Sequence, residues 1–222
     1  MPPNSQEKIR QIKSLVVLPP KVDMFELSAG GVIEPMEDWS GQAKTNVTEA
    51  IKNKLIGRQG VAVRTLNEQR LPKEVATNLR ETWALYDAVE SSVIFHTLRP
   101  YRQPIGATTD VFEDKIANFD YSLGSEVRGL DQQADAFLLF RGLEQRSTGG
   151  RKAVRAGAIV LGLLVGGTTV PAGSGGVVSV ALIDARSGAI LWYRRSSSVS
   201  GMDEMEGSAK AITQLLTDFP IQ

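Results

Sequence analysis

Few residues in this chain are of a type that does chemistry, and they do not cluster. His96 is the sole histidine among 222 residues and cysteine is absent. Disulfides, thiolate catalysis and the usual structural zinc sites are therefore excluded together. His96 stands in VIFHTLR near the end of a helical pattern, with no second ligand and no orienting partner in view. It reads as a helix-end or core histidine, and His96→Ala is expected to change stability by about 0.5–3 kcal/mol without loss of a metal or an activity.

Carboxylates gather twice, at Glu34, Glu37 and Asp38 and again at Asp203, Glu204 and Glu206. Paired carboxylates can serve hydrolysis or hold a cation. The second group sits at the amino end of a helical stretch, where acidic side chains complement the helix dipole, and the first lies in a loop. Arg194 and Arg195 beside Trp192 and Tyr193 could clamp and stack a nucleotide, but strand alternation sends the two arginines to opposite faces, which suits a solvated strand end. The glycines of GGRK (Gly149 to Lys152) and AGSGG (Ala172 to Gly176) could cradle an anion. Neither fits a phosphate loop, because no glycine–lysine pair is present and AGSGG leads into a strand. The nucleophile elbow G-x-S-x-G is missing, since Ala172 stands where Ser174 would need a glycine. No catalytic residue, metal site or cofactor is expected, and the chain reads as not an enzyme.

The elements that would position any site are punctuated by proline and glycine. Ser14 to Leu18 is a short apolar strand halted by Pro19 and Pro20. Val22 to Trp39 reads as an irregular excursion, and a helix follows from about Ser40, with Ala43, Val47, Ile51 and Leu55 on one face, to Gly57. Val61 to Leu66 is a second strand, and Pro72 opens a helix marked by Val75, Leu79, Trp83, Tyr86 and Val93, with a break near Glu90 and a stop at Pro100. Phe112, Ile116, Phe119, Leu123, Val127 and Leu130 mark a further helical face weakened by Gly124. Ala136 to Phe140 is apolar on both sides, as in a central strand covered on both faces. Val177 to Ile183 and Ala189 to Arg195 flank the turn Asp184 to Gly188 and form a hairpin, with Trp192 buried against a helix. Met205, Ala209, Ile212, Leu216 and Phe219 give a closing amphipathic helix that stops at Pro220.

Charge is balanced, 25 basic against 25 acidic residues, so no overall field draws the chain to nucleic acid or anionic membrane. The 28 residues from Ala156 to Ile183 carry no charge in a chain that is 23% charged. Such a run must be covered by protein or lipid. Ala153 to Gly167 would rise only about 22 Å as a helix, short of a hydrocarbon layer near 30 Å, which favours a buried helix or one packed on another subunit. Ile159, Leu161, Leu163, Leu164 and Val165 would then be an interface with a second copy or a partner, or with lipid. The leader-like features of a secretory segment are missing from MPPNSQEKIRQIK. Residues 1–13 read as a tail and 14–222 as a single α/β domain: a single mixed sheet with flanking helices and an apolar, glycine-rich insertion at about 146–176, before the last hairpin.

The succession SLVVLPP, helix, VAVRTL, helix, ADAFLLF, VSVALIDARSGAILW, helix resembles the fold shared by curli secretion-channel (CsgG-like) lipoproteins and the TolB amino-terminal domain, and small bacterial envelope lipoproteins of that type. Leu182 to Trp192 carries most of the likeness. The resemblance implies a non-enzymatic lipoprotein on the periplasmic side of the outer membrane, anchored through an amino-terminal cysteine and acting as an oligomeric scaffold or accessory factor in envelope assembly or secretion. It implies a homo-oligomer or an envelope protein partner, and the balanced charge speaks for no nucleic-acid partner. A peptide or small-ligand binding module of the periplasm is the alternative. Two departures stand out: the sequence has no cysteine to lipidate, and its insertion lacks the apolar–polar alternation of membrane-inserting strands.

Overall fold

The computed structural model describes residues 5–28, 32–56, 60–97, 119–147 and 175–221, apart from the side chains of residues 95–97 and 198. Among these residues seven strands form one mixed sheet. In chain order they are β1 (Ser14–Val17), β2 (Lys21–Leu27), β3 (Ile33–Pro35), β4 (Ala62–Thr65), β5 (Ala136–Ser147), β6 (Gly175–Asp184) and β7 (Ile190–Val199). The α-helices among the described residues are α1 (Ser5–Arg10), α2 (Glu37–Leu55), α3 (Lys73–Thr97) and α4 (Met205–Leu215).

The sheet is organised around β5. Its amino-terminal part pairs in parallel with β1 (Leu15 opposite Ala136), its carboxyl-terminal part with β2 (Lys21 opposite Arg141 through Leu27 opposite Ser147), and its other edge is antiparallel to β6. β4 adds in parallel beyond β1, β3 antiparallel beyond β2, and β7 antiparallel beyond β6. Every residue from Ala136 to Phe140 is buried, as expected for a central strand with both faces covered. Leu138 and Phe140 face a core shared with α1, α2 and α4, whereas Phe137 and Leu139 face a second core under α3 and the 3₁₀ segment Ser125–Leu130. The fold is α/β, a single mixed sheet with flanking helices.

Four expectations need correction. Val22 to Trp39 is not irregular: β2 and β3 form a hairpin there, and Val22, Met24 and Leu27 are buried. Pro19 and Pro20 end β1 without ending extended structure, because proline's fixed φ suits an extended link and only its missing N–H interrupts a ladder. Helix α3 is continuous through Glu90. The described part of the helical pattern that includes Phe119 to Leu130 is an irregular segment closed by 3₁₀ turns: Phe119 has φ 50°, Gly124 has φ 79°, and Ser122 bridges to Ala189; Phe112 and Ile116 lie outside the described residues. In α4 the buried face is Ser208, Ala211, Ile212 and Leu215, and Met205 is exposed. The stripe through Met205 and Ala209 is therefore displaced by one position at its start.

Residues 5–10, within the stretch read as a tail, form α1, which buries Ile9. The hairpin matches its sequence reading. Asp184 Oδ1 accepts from the backbone N–H groups of Arg186 (2.9 Å) and Ser187 (2.8 Å) and from the Ser187 hydroxyl (3.0 Å), and Gly188 takes φ 70°. Trp192 is buried, edge-on to Phe219 with ring centroids 5.2 Å apart.

Candidate functional site

The feature that composition alone would not predict is a cluster of charge between α3 and the sheet. Helical spacing places Tyr86 and Glu90 on the stripe of α3 that packs on the strands, four residues apart. Strand alternation turns Arg141 of β5, between Phe140 and Gly142, toward the same face as Phe137 and Leu139. Ser179 of β6 stands opposite Arg141 in the antiparallel pair and opposite Arg195 of β7 on its other side.

Glu90 is 2% exposed, and its carboxylate accepts from Arg141 Nη1 at 3.0 Å and from the Tyr193 hydroxyl at 3.1 Å. Arg141 Nε lies 3.2 Å from Asp87 Oδ1, a charge contact without hydrogen-bond alignment, and Asp87 Oδ2 accepts from Lys21 Nζ at 2.6 Å. Burial works against the charge of Arg141, but Glu90 and Asp87 outweigh it and raise the pKa of the guanidinium. Burial, reinforced by Glu90, holds the Tyr193 and Tyr86 hydroxyls well above the ordinary phenol range. The Tyr86 hydroxyl is fully buried beside Ser179. Arg195 is pulled down by burial, with Arg141 adding to the effect against Tyr193 and Glu90. The cavity beside these groups, lined by Glu90, Arg141, Ser179, Arg195 and apolar neighbours, has a volume of about 10 Å³, the space of one water molecule. The Glu90 and Asp87 carboxylates are thus engaged by Arg141, Lys21 and Tyr193, which suits fastening a helix to a sheet.

A second carboxylate works on the opposite face. Glu144 of β5 is 1% exposed and accepts from the backbone N–H of Gly201 at 2.7 Å and of Met202 at 2.9 Å. Arg146 Nε donates to it at 3.1 Å, bonds Asp203 through both terminal nitrogens, and lies 5.5 Å from the centre of the Trp39 ring. Asn46 of α2 donates to the Asp203 carbonyl at 2.7 Å. The loop before α4 is thereby pinned to β5 and α2. Asp203 is occupied by Arg146 and is not part of a helix-end acidic group, as sequence had suggested; only Glu206 lies in the first turn of α4.

The remaining residues singled out from sequence are dispersed. Glu34 is on β3, whereas Glu37 and Asp38 open α2; among the described residues no group of three or more His, Asp or Glu side chains is placed to hold a metal ion. Arg194 pairs with Asp218 and Arg195 points into the α3 cluster, so the two do separate to opposite faces. The His96 side chain, the GGRK stretch, residues 171–174, and the interface residues Ile159, Leu161, Leu163, Leu164 and Val165 lie outside the described residues. Among the described residues no helix is long and apolar enough to cross a membrane. The Glu90–Arg141 pair escaped sequence reading, although an arginine in the middle of AFLLFRGL and a glutamate on an apolar helical stripe were both signals.

No family model matches the chain, and no curated protein matches it. Among solved structures it is similar to a putative neuraminyllactose-binding hemagglutinin homolog from Helicobacter pylori, at TM-score 0.42 and 8% identity over 94% of this chain and 83% of that one. It is also similar to PelC from Paraburkholderia phytofirmans, a dodecamer, at TM-score 0.31 and 13% identity over 95% and 89% of the two chains. Lipoprotein GNA1162 from Neisseria meningitidis is similar at TM-score 0.30 and 14% identity over 93% and 99%. At these scores and identities the likenesses carry no argument about activity, partner or assembly.

Proposed function

We propose that this chain is a non-enzymatic cell-envelope protein of the CsgG-like or TolB amino-terminal-like type, a lipoprotein on the periplasmic side of the outer membrane that works as an oligomeric scaffold or accessory factor in envelope assembly or secretion. The observation that supports the reading is the hairpin that carries the resemblance: Leu182 to Trp192 folds as β6, an Asp184-anchored turn and β7, with Trp192 buried and edge-on to Phe219, which follows α4. The α3 cluster agrees with it, because its carboxylates are engaged by Arg141, Lys21 and Tyr193 beside a water-sized cavity.

In this reading the uncharged run supplies the contact between copies, through Ile159, Leu161, Leu163, Leu164 and Val165. Leu161→Asp and Leu164→Asp, made singly, are expected to lower the solution mass measured by light scattering while thermal unfolding stays cooperative. A wild-type chain that is monomeric and indifferent to lipid, with variants that simply unfold, overturns the interface. The native coding sequence upstream of Met1 tests the lipoprotein assignment, which requires a leader ending in a lipidated cysteine.

The alternative is a peptide or small-ligand module. One feature favours it: a groove of about 480 Å³ between the start of α3 and the 3₁₀ segment, lined by Lys73, Glu74, Thr77, Asn78, Glu81 and Glu126, a volume that suits a small ligand. A saturable thermal shift with peptides or peptidoglycan fragments, lost in Glu81→Lys, would select this reading.

A further inference from the structure

The contacts of α3 with the sheet are of two kinds that respond differently to movement along the helix axis. Leu79, Trp83, Tyr86 and Val93 recur at helical spacing along the buried stripe. A slide of one turn, about 5.4 Å, sets one apolar side chain where another stood, a mismatch that repacking relieves at modest cost. Glu90 interrupts the stripe, and it cannot be repacked in that way. It is 2% exposed and held at 3.0 Å by Arg141, itself 16% exposed, and at 3.1 Å by Tyr193. Asp87, one turn earlier, bridges Arg141 to Lys21. A one-turn slide in either direction strips Glu90 of both partners; in one direction Val93 or Ile94 comes to face Arg141, and in the other Tyr86 or Asp87 does, with Asp87 drawn away from Lys21. Buried ion pairs add little net stability over apolar packing, but breaking one is costly. Such a pair discriminates strongly between two positions of a helix while contributing little to its overall affinity for the sheet.

We infer that the Asp87–Glu90–Arg141–Tyr193 network sets the axial register of α3, selecting one position of the helix on the sheet and so fixing where the chain leaves α3 at Thr97. These are positioning residues. The apolar stripe supplies the affinity, and the network supplies the choice between neighbouring positions, as one-turn shifts of packed elements require in switching proteins. The Asn78 hydrogen bond to the Glu126 carbonyl, at 3.1 Å, is a further polar tie between α3 and its surroundings that a slide would break, and it is an exposed, neutral contact.

The test uses the full chain and its lack of cysteine. Ala88→Cys on the exposed side of α3 and Arg186→Cys in the exposed β6–β7 turn introduce two spin-label sites. The start of α3 is tied at Asn78 to the segment that bonds this turn, while Glu90, further along the helix, meets Arg141 of β5, so a slide of α3 changes the separation of the labels. With the network intact a single narrow distance distribution is expected. The isosteric apolar replacement Glu90→Leu/Arg141→Met/Tyr193→Phe is expected to keep or raise the melting temperature, yet to broaden the distribution or add a population displaced by about 5 Å, one helical turn. Glu90→Gln, which keeps shape and one acceptor, is expected to broaden it less. A triple variant with the narrow wild-type distribution overturns the inference, since packing alone would then fix the register. A triple variant that fails to fold also overturns it, because the apolar stripe would then not hold α3 without the charges.

Discussion

Glu144 gathers three donors on one buried carboxylate. Truncating it leaves the N–H groups of Gly201 and Met202 without their acceptor, while the Arg146 guanidinium keeps Asp203. Each orphaned buried donor costs about 1–3 kcal/mol. Glu144→Ala is therefore expected to destabilise the protein by about 2–4 kcal/mol in urea unfolding, and a loss below half that would mean the loop before α4 finds other acceptors. Asp184 makes a prediction with pH. Burial raises its pKa, but the Ser187 backbone and hydroxyl, the Arg186 N–H and Lys8 outweigh burial and set it below its ordinary value of 3.8. A folded-state value below the unfolded one gives stability that is fully present above the unfolded value and lost as pH falls through the folded one. Wild type should exceed Asp184→Asn in stability at neutral pH, with the gap closing only below pH 3.8; a gap that is constant from pH 7 to pH 2 would assign the loss to geometry and not to charge.

At the scale of elements, the β6–β7 hairpin shows what can be read locally. Its turn is specified by residues within five positions of each other, so the aspartate acceptor and the positive-φ glycine were visible in DARSG. Gly188→Ala is expected to cost more than the roughly 1–2 kcal/mol of the left-handed conformation alone, because a Cβ there would lie 2.1 Å from the Gly124 carbonyl oxygen. Thermal unfolding of Gly188→Ala beside Gly60→Ala, which has φ 80° and open space around it, separates conformational strain from the backbone clash; equal losses would show that the Gly124 loop simply moves aside. Elements whose identity depends on distant partners were less legible. β2 and β3 were hidden because the Pro19–Pro20 link looks like an end, and the stretch from Phe119 imitates a helix while its backbone is committed elsewhere, with Leu123 N–H bonding the Gly188 carbonyl at 2.9 Å. The α3 network was hidden for the same reason: Glu90 is 51 residues from Arg141 and 103 from Tyr193, and only the finished sheet brings them together.

Among the described residues the sheet carries a large core on each face, and β5 is the strand that belongs to both. Ile51 of α2 is fully buried in one core, and Leu79 of α3 is buried in the other. The two share no apolar cluster, and the sheet stands between them, so truncations at both positions should act independently. Ile51→Val is expected to cost about 0.5–1.5 kcal/mol and Leu79→Ala about 2–5 kcal/mol, with the double variant equal to their sum within about 0.5 kcal/mol. Additivity does not mean two folding units. Because Leu138 and Phe140 on one side alternate with Phe137 and Leu139 on the other, neither core can be dismantled while β5 remains in place for the other. We therefore expect one cooperative urea transition, with the same midpoint from tryptophan fluorescence and from far-ultraviolet circular dichroism, in wild type and in all three variants. The tryptophans sample both faces, Trp192 in the α2/α4 core and Trp83 in the α3 core. A fluorescence transition that splits in Leu79→Ala but not in Ile51→Val would show α3 and its core unfolding on their own, and residues 14–222 would not then be the single cooperative domain expected of them.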